Sequence, residues 1–243
     1  MRELIVNADD LGLSEGVDRG IAEAHERGIV TSASMMVRGA HAPAAAAYAR
    51  AHPQLSVGLH VDLGEWRYAG GTWAAAYEVV ASDDPLAVDA EVVRQLERFE
   101  QLIGGRPTHI DGHQHVQRDE PVRSSVLRLA DRLGVVVRDC TSAVRYEGGF
   151  YGQSGRGEPW PEGISVASLC ALVRALPPGV TELGCHPALD DRSGSSYSAE
   201  RTVETATLCD PGVRDALADA GVVLRSFAGI APSPRVARPA GAI

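Results

Sequence analysis

The chain has 243 residues, 44% of them hydrophobic and 23% charged, and carries a formal net charge of −9. A chain of this length can bury one large core. The acidic balance argues against a nucleic-acid partner, which needs a basic face, and against adherence to anionic membranes. No apolar run approaches a bilayer span, no signal-peptide pattern follows Met1, and Cys140, Cys170, Cys185 and Cys209 lack metal-site spacing, so a cytoplasmic protein with reduced thiols is expected.

Leu4-Ile5-Val6-Asn7 is a short apolar run that changes abruptly to Ala8-Asp9-Asp10, as a buried strand delivering two carboxylates at its end would. Leu11-Gly12-Leu13 reads as the turn, Ser14 as the cap of a helix running to about Arg27, and Gly28 as its stop. Residues 31–37 read as a second strand and 43–51 as an alanine-rich helix. Residues 56–60 form a third strand ending in His60, followed by a long connection carrying Trp66, Tyr68, Trp73 and Tyr77. Val92, Val93, Leu96, Phe99, Leu102 and Ile103 recur at helical spacing across residues 89–103, and Gly104-Gly105 ends that helix.

A strand through residues 107–111 comes next, then a helix over 121–133 and a strand over 135–138. Residues 140–163 are an irregular, glycine-rich excursion with Tyr146, Phe150, Tyr151 and Trp160. A helix over 165–176, a strand over 180–184 ending in Cys185-His186-Pro187, a polar loop over 190–198, helices over 199–208 and 211–220, and a last strand over 222–224 complete the series. Residues 1–230 read as one domain, and the Pro/Ala/Arg-rich tail 231–243 is expected to be disordered.

Strands alternating with helices imply α/β architecture and a parallel sheet. Chemistry-bearing residues recur where strands end, at Asp9-Asp10, His60, Asp111-His113, Arg138 and His186. This predicts an irregular, seven-stranded (β/α) barrel with its active site at the C-terminal rim. An open doubly wound sheet would spread those ends along a line, and its Gly-rich phosphate loop is missing.

The densest stretch is Thr108-His109-Ile110-Asp111-Gly112-His113-Gln114-His115, with three histidines within seven residues. Imidazoles and carboxylates clustered this way point to a divalent metal, against the alternative of a merely polar loop. The Asp9-Asp10 pair allows one carboxylate to ligate while its neighbour faces a substrate, or forms a solvated turn. His60 and His186 are weak signals alone but gain weight from their shared position at strand ends. His25, His41 and His52 lie on helices or helix ends and are expected to be solvated. Asp62 supports either a place behind the ligands or a surface role. The loop aromatics either stack on sugar rings or pin their own loops.

Asn7-Ala8-Asp9-Asp10-Leu11-Gly12, Val57-Gly58-Leu59-His60, Pro107 to His115 and Cys185-His186-Pro187 together resemble the YdjC-like carbohydrate deacetylases, the family of the chitooligosaccharide deacetylases. With Arg201 and Glu204, the ordered motifs cover nearly the whole chain before the tail. The resemblance implies a β/α-barrel enzyme, often homodimeric, that removes an N-acetyl group from an amino sugar with one divalent ion, magnesium or zinc. Carried onto this chain, the metal ligands are Asp10, His60 and His113, and Asp9 is the base. Two positions depart from the family pattern: Leu11 stands where phenylalanine is common, and Gln117 where a further histidine is common.

On that footing His186 is the candidate acid for the leaving amine, and Arg138 either holds Asp9 ionised or forms an ordinary rim salt bridge. His109, Asp111 and His115 are candidates for orienting His113 or the substrate, and Tyr151 for touching the sugar. Two other classes stay open: hydrolysis of a different bond such as a phosphoester, and a non-catalytic, metal-containing sugar-binding protein.

Overall fold

The computed structural model describes residues 1–69, 71–190 and 197–232. Strand β1 (Arg2–Leu11) is buried from Leu4 onward, as its near-continuous apolar run predicts for a strand covered on both faces. Helix α1 (Glu15–Glu26) starts where the Ser14 hydroxyl accepts from the Val17 amide. β2 (Ser32–Met35), α2 (Ala42–Ala51) and β3 (Ser56–Val61) follow as the sequence predicts.

The long connection after β3 departs from that expectation. It is an antiparallel hairpin, β4 (Gly64–Ala69) and β5 (Thr72–Glu78), separate from the main sheet. Helix α3 (Pro85–Ile103) begins earlier than its apolar spacing indicates, because Asp84 caps it through the Leu86 and Ala87 amides and Pro85 opens the first turn. β6 (His109–Gly112) runs into a 3₁₀ turn over His113–Arg118, then α4 (Val122–Leu133) and β7 (Val136–Val137). The glycine-rich excursion contains a strand the sequence reading misses, β8 (Arg145–Glu147). α5 (Val166–Ala175), β9 (Gly179–Cys185), α6 (Ala199–Leu208), α7 (Pro211–Ala220) and β10 (Val222–Arg225) complete the chain. Part of the polar loop 190–198 and all but the first two residues of the tail 231–243 lie outside the described residues.

Every ladder of the main sheet is parallel, in the order β7-β6-β3-β2-β1-β9-β8, with β10 added against β1. Among the described residues the main sheet holds the seven expected strands and one more, β8. Along one side of β1, β10 pairs with Arg2 to Ile5 and β2 takes over from Asn7, while β9 follows the other side from Arg2 to Ala8. The sheet curls: Arg138, just past β7, reaches Glu182 on β9 at 2.6 Å, although four strands lie between them in the sheet order. Among the described residues no ladder joins β7 to β8, so the barrel is incomplete.

Two glycines set close approaches that matter for the site. A Cβ at Gly58 would lie 2.4 Å from the His109 ring, and one at Gly20 would lie 2.2 Å from the Ala188 backbone. The second contact seats α1 against the segment that carries His186.

Candidate metal centre and its cavity

The pairing of β1 with β2 slips between Ala8 and Leu11, three steps on β1 facing two on β2 between the pairs Ala8–Ala33 and Leu11–Met35. The slip is a bulge, and Asp10 adopts a left-handed φ of 70° within it. Strict strand alternation would send Asp9 and Asp10 to opposite faces. The bulge brings both carboxylates to the same cavity, of about 530 Å³.

Asp10 divides its oxygens. Oδ2 accepts from Arg201 at 2.5 Å, while Oδ1 lies 3.1 Å from His113 Nδ1 and 3.3 Å from His60 Nε2. Burial pushes the Asp10 carboxyl up, but Arg201 and His113 hold it well below the usual carboxylate range. Ligand atoms of Asp10, His60 and His113 lie within 4.8 Å of one another. The buried Nε2 of His113 has no hydrogen-bond partner among the described residues. His60 turns its other nitrogen, Nδ1, to Asp111 Oδ1 at 2.8 Å, and Asp111 also accepts from Ser34 at 2.6 Å. A carboxylate behind a ring nitrogen is the usual way to fix an imidazole for a metal. The donor set therefore fits one divalent cation. A second cluster, Asp9, His60 and Asp111, is also close enough, but both of its carboxylates are already bonded to Arg138.

Asp9 receives both terminal nitrogens of Arg138, at 2.6 and 2.7 Å, and the Asn7 amide at 2.9 Å. The same guanidinium binds Asp111 at 2.8 Å and Glu182 at 2.6 Å, and it is 2% exposed. The rim salt bridge considered for Arg138 is thereby ruled out; the residue is a buried hub. Burial raises the Asp9 carboxyl, Arg138 pulls it down, and the net position is below the ordinary value. Three carboxylates around one guanidinium are not all neutralised by it. Burial pushes Glu182 up to about 7, against the pull of Arg138.

His186 lies across the cavity from this hub, its Nε2 3.8 Å from Asp9 Oδ2 and its Nδ1 3.8 Å from Glu204 Oε1. Glu204 accepts from the His186 backbone amide at 2.5 Å and from the Tyr197 hydroxyl. Burial lowers the His186 pKa, but Glu204 and Asp9 raise it further, and the ring is protonated more readily than a free imidazole. Tyr151 stacks on Tyr197 at 4.6 Å and lines the cavity with His186.

The other candidates are placed unequally. Asp111 sits behind His60. His115 is on the cavity wall, its ring edge-on to Tyr146, and burial with Arg138 and Arg118 pushes it down to about 3. His109 is the one drawn away from the cavity. It stacks on Phe227 at 3.8 Å and bonds to Ser34, so it reaches the site only through Ser34 and Asp111. Asp62 takes neither role considered for it. It is 3% exposed and anchors the hairpin through the Tyr77 hydroxyl, the Gly64 amide and Arg38. Trp160 is half-exposed and does not line the cavity.

Sequence reasoning missed the work of Arg201, Glu204, Glu182, Tyr197 and Glu65. Arg201 and Glu204 stand one helical turn apart on α6, the spacing that puts two side chains on one face. That spacing was the available signal, but nothing local points it toward residue 10.

The family profile described as YdjC-like protein matches residues 3–219. A carbohydrate deacetylase from Geobacillus stearothermophilus is 34% identical over 93% of this chain and 97% of its own length. A chitooligosaccharide deacetylase from Serratia marcescens is 35% identical, covering 92% and 97%. Among solved structures, a protein from Enterococcus faecalis V583 superimposes with a TM-score of 0.78 at 25% identity, over 95% of this chain and 99% of that one.

Proposed function

Since the chain belongs to the YdjC-like family, we propose that it is a carbohydrate deacetylase that hydrolyses the N-acetyl group of an amino sugar, with chitooligosaccharides as the substrate class. The observation that carries this reading is the placement of two oppositely tuned groups beside the Asp10, His60 and His113 cluster. Asp9 is held ionised, and 3.8 Å away His186 is biased toward its protonated form. Hydrolysis of an amide needs that pair: one group to take a proton from water, another to give one to the departing nitrogen.

A divalent cation held by Asp10, His60 and His113 would polarise the acetyl carbonyl and lower the pKa of the attacking water. Two imidazoles favour zinc or a similar transition ion by ligand softness, while the family resemblance also admits magnesium. Asp9 accepts the water proton as the new C–O bond forms. Arg138 keeps the Asp9 carboxylate fixed and ionised, at the cost of making it a weaker base, so the acidity of the water has to compensate. As the C–N bond breaks, His186 delivers its proton to the nitrogen, and Glu204 stabilises the imidazolium beforehand. Tyr151 and Tyr197 wall this side of the cavity. No described helix is long and apolar enough to cross a membrane, which agrees with a substrate met in solution; a cytoplasmic location and a homodimer complete the proposal.

The test is acetate release from N,N′-diacetylchitobiose with and without chelator. Release that stops on chelation and returns with zinc or magnesium is expected. Release that chelation leaves untouched would remove the cation from the proposal, and no release from any N-acetylated sugar would remove the reaction.

A further inference from the structure

Glu65 is only 7% exposed although it sits on β4, whose partner strand β5 is exposed along its whole length. Carboxylates are rarely buried without a reason. One oxygen, Oε1, accepts from Arg67 Nε at 2.9 Å. The other, Oε2, faces His113 Nε2 at 3.9 Å, beyond hydrogen-bond range, and that buried nitrogen has no hydrogen-bond partner among the described residues. With the Nδ1 lone pair given to a cation held beside Asp10, Nε2 would carry the ring proton and be a donor. A group that donates to Glu65 and accepts from His113 would satisfy both, and a sugar hydroxyl is both donor and acceptor.

Trp73 lines the same cavity from β5 and is 57% exposed, with its ring edge-on to Tyr68 at 5.6 Å. A pyranose offers hydroxyls at its edge and C–H groups on its face, which matches a carboxylate beside an indole. The hairpin that carries both is locked to the turn after His113. The Gln114 side chain accepts from the Trp66 amide at 2.8 Å and donates to the Trp66 carbonyl at 2.9 Å.

We infer that Glu65 and Trp73 form a hairpin-borne subsite for the pyranose ring carrying the acetamido group, Glu65 accepting a ring hydroxyl and Trp73 covering the ring face. This inference rests on the deacetylase reading for the identity of the sugar. Gln114 is the positioning residue that sets the hairpin's distance from the cation site.

The experiment is calorimetric titration of N,N′-diacetylchitobiose into the zinc-loaded protein, its Glu65→Gln and Trp73→Ala variants, and Trp73→Phe as the conservative control. Metal content is measured on each sample. Affinity is expected to fall about tenfold or more in Glu65→Gln and Trp73→Ala, a loss of about 1.4 kcal/mol, with metal content unchanged and Trp73→Phe largely restored. Unchanged affinity in both variants overturns the inference. So does a Glu65→Gln loss that tracks a loss of metal, because Glu65 would then serve His113 rather than the sugar. A parent protein that does not bind the disaccharide also overturns it. Binding without acetate release leaves the subsite standing and removes the deacetylase reading instead, so the two failures are distinguishable.

Discussion

Arg138 and the three carboxylates it binds are each no more than 4% exposed, and all four contacts to the guanidinium lie between 2.6 and 2.8 Å. A few strands away, β5 exposes every residue, and its hairpin is tied down by the bonds of Asp62 and Gln114. The difference shows where this fold can change. A buried charge hub tolerates no single substitution, because whatever remains is left unpaired in a low dielectric. The hairpin exchanges side chains against water at small cost, so sugar preference is free to vary there while the reacting groups stay fixed.

The largest effect should come from the hub. Arg138→Met leaves Asp9, Asp111 and Glu182 without their common partner, and stability measured by denaturant should fall by about 3–5 kcal/mol. A loss of under about 1 kcal/mol would mean that the cluster reorganises and that its rigidity is overstated here. Next comes the division of labour on the bulge. Asp9→Asn should keep the metal while kcat drops about 10²-fold or more. Asp10→Asn should lose metal and regain part of its activity when metal is supplied in excess. If added metal instead rescues Asp9→Asn, the two roles are exchanged.

A smaller effect separates the hub from the hairpin by pH. Glu182 has its folded pKa raised to about 7 from 4.5, so between those values the folded protein holds a proton that the unfolded chain has released. Its contribution is therefore present below about pH 4.5 and lost as pH rises toward 7, at up to about 1.4 kcal/mol per pH unit. Urea midpoints across pH 5 to 7 should show that slope weakened in Glu182→Gln; identical slopes would mean Glu182 ionises normally. The smallest effect belongs to the hairpin. Tyr77→Phe removes the hydrogen bond to Asp62 and should cost about 0.5–1.5 kcal/mol. Amide exchange should quicken over residues 64–78 alone, and acceleration spreading into β3 or β6 would show that the hairpin is part of the core.

Much of the barrel was legible because its strands are short apolar runs that end abruptly in polar residues. Asp9-Asp10, His60, Asp111-His113 and His186 all marked the rim for that reason. The hairpin is legible too, in the alternation on either side of its glycines. Trp66 and Tyr68 alternate before Ala69-Gly70-Gly71, and Trp73, Ala75 and Tyr77 alternate after it, which is a hairpin pattern. β8 was not legible, since three residues ahead of Gly148-Gly149 carry no periodicity. The bulge at Asp10 was equally hidden, as it is a left-handed residue without glycine. His109 is a different case. Its place inside a His-rich motif suggested chemistry, whereas its ring fills space beside Gly58 and Phe227. The partners of Asp10 and His186 on α6 are set by the fold alone, Arg201 being separated from Asp10 by 191 positions.

The pairing of β1 on both sides has a consequence for how the chain is made. Arg2 to Ile5 find their neighbours only in β9 and β10, with Arg2 opposite Gly179 on one side and Val222 on the other. On a ribosome the first half of this strand therefore leaves the exit tunnel long before these partners exist, and its apolar side chains and unpaired backbone edge have to wait for most of synthesis. Such distant pairing is slow to close and open to association in the interval. A nascent chain halted before residue 222 should be a ready client for chaperones.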